Sequence, residues 1–273
     1  MNQAPTPNPA EMYQQYFVPA MFLPWANILL NRAAPQPRER VLDVACGTGV
    51  VARAVSPLLV PGGQVVALDS NDAMLAVARA QPAPEGDSIQ WQNGDAMALP
   101  FTEGAFHLVL CQHGLQFFPD RAGAVREMAR VLQPGGRAAV IVLQSLDRHP
   151  VFDALMRSVA QHLGRPVTEV TTPFCLGDAE ALRGLFVAAG FGTVELFTDT
   201  ITASFAEPER FVPLAVASSA AAVPAFQELA APERAALLKA VATDVDAALQ
   251  PYRTADAIRF PMFAHVVVAT KKV

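Results

Sequence analysis

Residues 41 to 52, Val-Leu-Asp-Val-Ala-Cys-Gly-Thr-Gly-Val-Val-Ala, limit what this chain can become more than any other stretch: a short apolar run breaks at two glycines and restarts with helical character. The pattern predicts a buried strand, a tight turn and a helix. Gly47 and Gly49 lack a Cβ, so the backbone there can take positive φ and come close to a ligand, and the helix start beyond them presents unpaired N–H groups to polar or anionic atoms. A nucleotide-bearing cofactor is the ligand such a turn serves. Two cofactors stay open at this point, because Gly47-x-Gly49-x-x-Ala52 also satisfies the dinucleotide pattern and Asp69 follows at roughly the 20-residue distance of that pattern's ribose acid.

Around the turn, strand and helix signals alternate. Strands are predicted at 41–45, 64–69, 88–93, 105–111 and 137–143, and helices at 49–59, 71–80, 120–132, 150–163 and 178–189, the last closed by Gly190 and strand 137–143 entered through a Pro134-Gly135-Gly136 turn. Such alternation implies a parallel sheet covered on both faces. The end of the chain differs: a strand at 193–205, Ala- and Leu-rich helices over 207–250 and a final strand at 260–270, so that 207–258 reads as a helical insertion within a closing hairpin. At the other end, residues 1–9 carry three prolines and read as a tail, and the aromatic and aliphatic residues of 11–31 recur at helical spacing, interrupted by Pro19 and Pro24. Two short broken helices are expected there, packed on the core or lying over the site as a lid.

Composition narrows the partners. With 273 residues and 52% hydrophobic content the chain can bury a sizeable core, and a net charge of −5, with no run among its 20 Lys and Arg, leaves no footprint for nucleic acid or an anionic membrane. The Ala-rich stretch 214–231 contains Ser218, Ser219, Pro224, Gln227 and Glu228, too polar for membrane insertion, and no leader pattern opens the chain, so a cytoplasmic location is expected. Cys46, Cys111 and Cys175 are odd in number and far apart, which predicts reduced thiols rather than disulfides or a zinc site, and no His or carboxylate pair has metal-ligand spacing.

The acids decide between the cofactors. Asp69 closes the second predicted strand, where a carboxylate can accept both hydroxyl protons of a ribose, and Asp95, closing the third, can accept an exocyclic adenine N–H while the Ala96 N–H reaches a ring nitrogen. The alternative for both is a helix cap or turn former. Asp43 adds a third acid beside the glycines, awkward for a pyrophosphate but suited to a cofactor carrying an ammonium and a sulfonium. Charge complementarity therefore favours S-adenosylmethionine over NAD.

The run Val41 to Gly49, the acid at Asp69, the segment Gly94-Asp95-Ala96 to Leu99-Pro100-Phe101, and the stretch Phe106 to Gly136 with Cys111-Gln112-His113-Gly114-Leu115-Gln116-Phe117-Phe118-Pro119-Asp120 together resemble the class I S-adenosylmethionine-dependent methyltransferases, in the branch related to ubiquinone and menaquinone biosynthesis methyltransferases. The resemblance covers about residues 38 to 145. It implies a doubly wound, mostly parallel seven-stranded α/β sheet of Rossmann-like type with an antiparallel last strand, divided as an amino-terminal tail and lid (1–34), a cofactor-binding core (35–206 and 259–273) and the insertion 207–258 as substrate cap or interface. It further implies that Asp43, Ala45, Gly47 and Gly49 surround the methionine part, Asp69 the ribose, Asp95 and Ala96 the adenine, that Ser70 and Met74 flank the adenosine, and that Gln112 and His113 lie beside the methyl donor, with S-adenosylhomocysteine as product. Ala45 stands where many members have glycine, and His107 where an aspartate is common.

Methyl transfer from a sulfonium needs alignment, exclusion of water and sometimes proton removal. His113, after strand four, is the candidate base or orienter, set against a role in packing alone; His149, before Pro150, is a second candidate base, and His107, His162 and His265 read as structural. Substrate choice falls to the segments outside the resemblance. Tyr13, Tyr16, Phe17, Phe174, Phe211, Phe226 and Tyr252, with Phe117 as wall or buried helix start, favour a small, partly apolar acceptor methylated on oxygen or carbon. An NAD(P)-dependent reductase on the same turn and a non-catalytic binding protein are the alternatives, and a homodimer is compatible with the insertion.

Overall fold

The computed structural model describes residues 8–82, 84, 89–220 and 223–273, the side chains of 218–220 excepted; the expectations for the tail before residue 8 and for residue 88 of the third strand lie outside them. Among the described residues the strands β1 (Arg40–Val44), β2 (Gln64–Asp69), β3 (Ile89–Asn93), β4 (Phe106–Gln112), β5 (Leu132–Leu143), β6 (Phe191–Ala206) and β7 (Ala257–Lys271) form one sheet in the order β3-β2-β1-β4-β5-β7-β6. All neighbours from β3 to β5 are parallel, and β7 runs antiparallel to both β5 and β6.

Period-two alternation splits the sheet's side chains between two cores. Val41, Leu108, Leu110 and Ile141 face one side, against Trp25 and Leu29 of α2 (Leu23–Ala33) and Val51 and Val55 of α3 (Val50–Val55). Leu42, Val109, Cys111 and Val140 face the other, against Val125 and Met128 of α5 (Arg121–Val131) and Leu182 and Phe186 of α7 (Ala179–Ala188). Both faces being covered, β1 and β4 bury most of their residues, including apolar ones on both faces.

Three local expectations change. The amino-terminal segment is a continuous helical run and not two broken helices: α1 (Pro9–Met12) passes into a π-helical stretch, Tyr13–Phe22, and then α2. Pro19 is accommodated inside the π-helical stretch, where the Leu23 N–H reaches back to the Val18 carbonyl, and Pro24 sits in the first turn of α2. The helix expected over 49–59 divides at Ser56 into α3 and a 3₁₀ turn, Ser56–Leu59, because Pro57 offers no N–H to the α-helical ladder. Strand β5 begins at Leu132, ahead of the Pro134-Gly135-Gly136 turn, which appears as a register shift between Phe106 and Leu108 on the paired strand.

Helices α8 (Pro208–Ala220), α9 (Pro224–Gln227) and α10 (Ala231–Leu249) lie between β6 and β7, on the stretch where these two strands run on as a hairpin beyond the rest of the sheet. Phe205, Phe211 and Phe260 stack there within 4.9 to 5.9 Å of one another and against Phe152 of α6 (Pro150–Leu163). Ser158 and His162 of α6 both bond Asp244 of α10, tying the insertion to the core.

Candidate functional site

In the strand order, β1 has β2 on one side and β4 on the other, so the chain leaves β1 and β4 into one crevice at the carboxyl edge, where open α/β sheets bind ligands. The glycine turn follows β1, Gln112 ends β4, and His113-Gly114 follow it. Asp69 ends β2 and ties the glycine turn to the turn after β2: its Oδ2 accepts the Gly47 N–H at 2.8 Å and its Oδ1 the Asn71 N–H at 2.8 Å. Each carboxylate oxygen keeps a lone pair free for a ligand hydroxyl.

A cleft of about 520 Å3 opens here, lined by Ala45, Gly47, Asp69, Ser70, Asn71, Met74, Asp95, Ala96, Gln112 and His113 among others. Gly47 has φ +55°, and a Cβ built on it would meet nothing within 4 Å, so its bare side faces open space in the cleft. Ala45 also holds φ +56°, a left-handed conformation that glycine would take at less cost. Asn71 was not singled out from sequence; its side chain caps helix α4 (Asp72–Ala80) by accepting from Ala73 and Met74. Asp95 is exposed on the rim and accepts the Met97 N–H at 2.9 Å, the turn-forming bond expected of it.

Two of the expected cofactor contacts sit one layer behind the cleft. Asp43 is buried and accepts the Ala52 N–H at 3.0 Å, fixing the start of α3. Burial, more than the neighbouring Asp69 charge, raises its pKa to about 8. Gly49, at φ +86°, packs flat against the indole of Trp91, where any Cβ would overlap the ring.

A second cavity of about 200 Å3 adjoins the cleft, lined by Tyr13, Phe17, Met21, Phe22, His113, Gln116, Phe117, Leu143, Phe152, Pro173 and Phe174. Tyr13, His113 and Phe117 line both spaces. Of the aromatic residues expected around a substrate, Tyr13, Phe17, Phe117 and Phe174 are here. Tyr16 is not: it lies under the Arg210 guanidinium, 4.3 Å from its ring. Tyr252 is not either, since it packs on Phe260 at 6.3 Å. No described residue of the insertion lines the cavity; Phe211 and Phe260 support it from behind through Phe152. Met21 and Phe22 belong to the amino-terminal stripe expected to pack on the core or cover the site, whereas Phe152 and Gln116 were not foreseen as lining residues.

His113 sits between the two spaces with φ +50°, its backbone N–H held by the Ile141 carbonyl at 2.9 Å and its ring edge-on to Phe22 and Trp25. Neither ring nitrogen has a partner, and burial lowers the pKa to about 3, so the ring is neutral and a weak proton acceptor at neutral pH. A buried neutral ring suits orienting or packing better than proton removal near the ordinary histidine pKa. Gln112 donates Nε2 to the Phe22 carbonyl at 2.9 Å, fastening the amino-terminal segment over the cleft, and its Oε1 is unpartnered. His149 is no candidate base: Nε2 accepts the Phe263 N–H at 3.0 Å, so Nδ1 carries the proton and donates to the Ser145 carbonyl at 3.1 Å. His107 accepts the Arg40 N–H, and His162 and His265 are bonded to Asp244 and to the Gly177 carbonyl. Among the described residues no group of His, Cys, Asp and Glu could hold a metal ion, and no helix is long and apolar enough to cross a membrane.

Residues 41–136 match the sequence profile of a family described as a methyltransferase domain. A 2-phytyl-1,4-naphtoquinone methyltransferase of Synechococcus elongatus is 36% identical over 139 residues, 50% of this chain and 58% of that protein, so the chain spans little more than half of that relative's length. A ubiquinone/menaquinone biosynthesis C-methyltransferase of Shewanella woodyi is 32% identical over 195 residues, 66% of this chain and 77% of the relative. The solved structure of the YcgJ protein from Bacillus subtilis superposes with a TM-score of 0.60 at 20% identity, over 91% of this chain and 98% of that one, a likeness of fold. On the strength of the match to the Shewanella protein, the chain belongs to the class I S-adenosylmethionine-dependent methyltransferases, in the ubiquinone and menaquinone biosynthesis branch.

Proposed function

We propose that the protein binds S-adenosylmethionine in the polar cleft and methylates, on carbon or oxygen, a small, partly apolar aromatic acceptor of the quinone-derived kind held in the adjoining cavity. The observation that carries this reading is the junction itself: a polar, acid-lined cleft and an aromatic cavity meet at Tyr13, His113 and Phe117. When bound, the cofactor supplies an electrophilic methyl group on a sulfonium.

The residues present suit that cofactor. Gly47 leaves room where a Cβ would intrude, and Asp69 keeps acceptor capacity for a ribose. Asp69 and Asp95 line the cleft, and the described residues around it include no Lys or Arg to offset them; burial first, and then Asp69, raise the Tyr13 hydroxyl pKa. That field attracts an ammonium and a sulfonium and repels the pyrophosphate of NAD. The aromatic walls exclude water from the acceptor, and His113, neutral and unpaired, can hold a polar atom of the acceptor at the junction.

Relatives named for 2-phytyl-1,4-naphtoquinone methylation and for C-methylation in ubiquinone and menaquinone biosynthesis support an acceptor of that class. The test is incubation with labelled S-adenosylmethionine and 1,4-dihydroxynaphthalene, followed by mass analysis of the extracted product. A mass gain of one methyl group, dependent on Asp69, is expected. Absence of any S-adenosylhomocysteine binding overturns the reading.

A further inference from the structure

The acceptor cavity is small and walled on most sides. Its volume of about 200 Å3 is nearer the roughly 150 Å3 that admits one benzene than the roughly 300 to 1,000 Å3 of pockets for drug-sized ligands, so it holds a one- or two-ring nucleus and little more. One wall is Phe152 of α6, buried, with its ring 5.7 Å from Phe174, 5.7 Å from Phe260 and 6.4 Å from Phe211, so the aromatic cluster beside the insertion blocks extension on that side. At Tyr13 and His113 the cavity meets the cleft that the cofactor fills when bound. Of the residues lining the cavity Phe117 alone is exposed, at 51%, and it marks the mouth. The other exposed large apolar side chains among the described residues do not extend that mouth. Leu23 faces a separate cavity with Val18 and Val50, whereas Leu58 and Val60 precede β2, Val187 precedes β6 and Val273 follows β7, which puts those four at the amino edge of the sheet, opposite the site.

Resting on the proposed function, we infer that the acceptor is a bare one- or two-ring aromatic nucleus without a long alkyl or isoprenoid chain, and that Phe152 is the residue that sets this limit. A chain on the ring has two ways to go. Inward, it must displace Phe152 and the rings packed behind it, and a close-packed aromatic cluster resists added volume. Outward, past Phe117, it stays in water and forgoes the burial that would tighten binding by about fourfold per methylene. No Lys, Arg, Asp or Glu lines the cavity, so the choice among apolar acceptors rests on shape. Phe152 also lies outside residues 41–136, the part of the chain that matches the methyltransferase domain, where a wall particular to this protein's acceptor belongs.

The test titrates two probes, 1,4-dihydroxynaphthalene and its 2-pentyl derivative, both kept reduced, into the full chain saturated with S-adenosylhomocysteine. Wild type should bind the unsubstituted diol at least about tenfold more tightly, whereas a site with room for the chain would reverse the order by about fourfold for each methylene it buries. Phe152→Ala, which removes the ring from the wall, should bring the two probes within about twofold of each other. Phe152→Leu, a smaller truncation, should narrow the gap in the same direction, and it preserves the test should the alanine variant fold poorly. Both variants should keep the wild-type affinity for S-adenosylhomocysteine, because Phe152 does not line the cleft. A wild-type protein that binds the pentyl compound as tightly as the parent diol, or a folded Phe152 variant that leaves the wild-type ratio unchanged, overturns the inference. Failure of the parent diol to bind the S-adenosylhomocysteine complex strikes the proposed acceptor and this inference with it, and failure of S-adenosylhomocysteine to bind at all strikes the proposed function itself.

Discussion

Gly47 and Gly49 stand two residues apart in one turn, both with positive φ, yet the structure gives them different duties and so different responses to the same added methyl group. Alanine at either position must hold a left-handed conformation, at about 1 to 2 kcal/mol. At Gly49 the new Cβ also falls on the indole of Trp91, a half-buried ring held beneath the Arg53 guanidinium at 5.0 Å. Overpacking of that kind adds about 1 to 3 kcal/mol, so Gly49→Ala should lose about 2 to 5 kcal/mol of stability in all. Gly47→Ala meets no atom within 4 Å and should lose only the conformational part. Its methyl points into the cleft, however, and should weaken S-adenosylhomocysteine at least about tenfold, or about 1.4 kcal/mol. Urea unfolding of the cofactor-free variants measures the first pair of numbers and calorimetric titration the second. Gly47→Ala binding as tightly as wild type, or losing as much stability as Gly49→Ala, would refute the assignment of the open side of Gly47 to the cofactor.

Other perturbations probe the same crevice. Asp69→Ala removes the acceptor of the Gly47 and Asn71 N–H groups as well as the ribose contact, so calorimetry should show S-adenosylhomocysteine weakened by about 1.5 to 3 kcal/mol, and an unchanged affinity would contradict the placement. His113 has a folded pKa of about 3 against an ordinary value of 6.5, so the unfolded chain takes up the proton first and the native state loses stability as pH falls from 6.5 toward 3. At pH 5 this amounts to about 2 kcal/mol, and His113→Asn, which tolerates the positive φ, should flatten that part of the urea-measured pH profile; an unaltered profile would contradict the burial of a neutral ring. Asp43 behaves in the opposite sense: with its folded pKa raised to about 8, its contribution is full below about pH 4 and declines as pH rises toward 8. The stability of Asp43→Asn relative to wild type should therefore rise by about 2 to 4 kcal/mol between pH 5 and 8, and a constant difference would rule this out.

What could be read from the sequence was whatever repeats with a regular period or needs a special backbone. The β1 turn, the acids at the ends of β2 and β3, and the alternation into a parallel sheet all announce themselves this way, and the chain places Gly47, Asp69, Asp95 and His113 in one crevice. Asp43 was legible as an acid near the turn but not as one pointing beneath it, because strand period fixes the face and not what covers it. Tyr16 went astray for a comparable reason. In a π-helical stretch, residues four to five apart share a face, which brings Tyr13, Phe17, Met21 and Phe22 to the cavity and turns Tyr16 toward Arg210. Pro19 in that stretch and Pro24 in the first turn of α2 read as breaks because a sequence pattern assumes an α-helical interior at both. Gln116 carried no signal at all: a single amide inside an apolar run becomes conspicuous only when burial and a missing partner are seen together.

The claim on which the rest depends is that the acid-lined cleft holds a sulfonium cofactor, and thermal unfolding with and without ligand tests it most directly. S-adenosylhomocysteine at about 100 times its dissociation constant should stabilise the fold by about 2.7 kcal/mol and raise the melting temperature by about 5 to 10 °C, while NADH leaves it unmoved. A melting temperature raised by NADH and indifferent to S-adenosylhomocysteine would contradict the account.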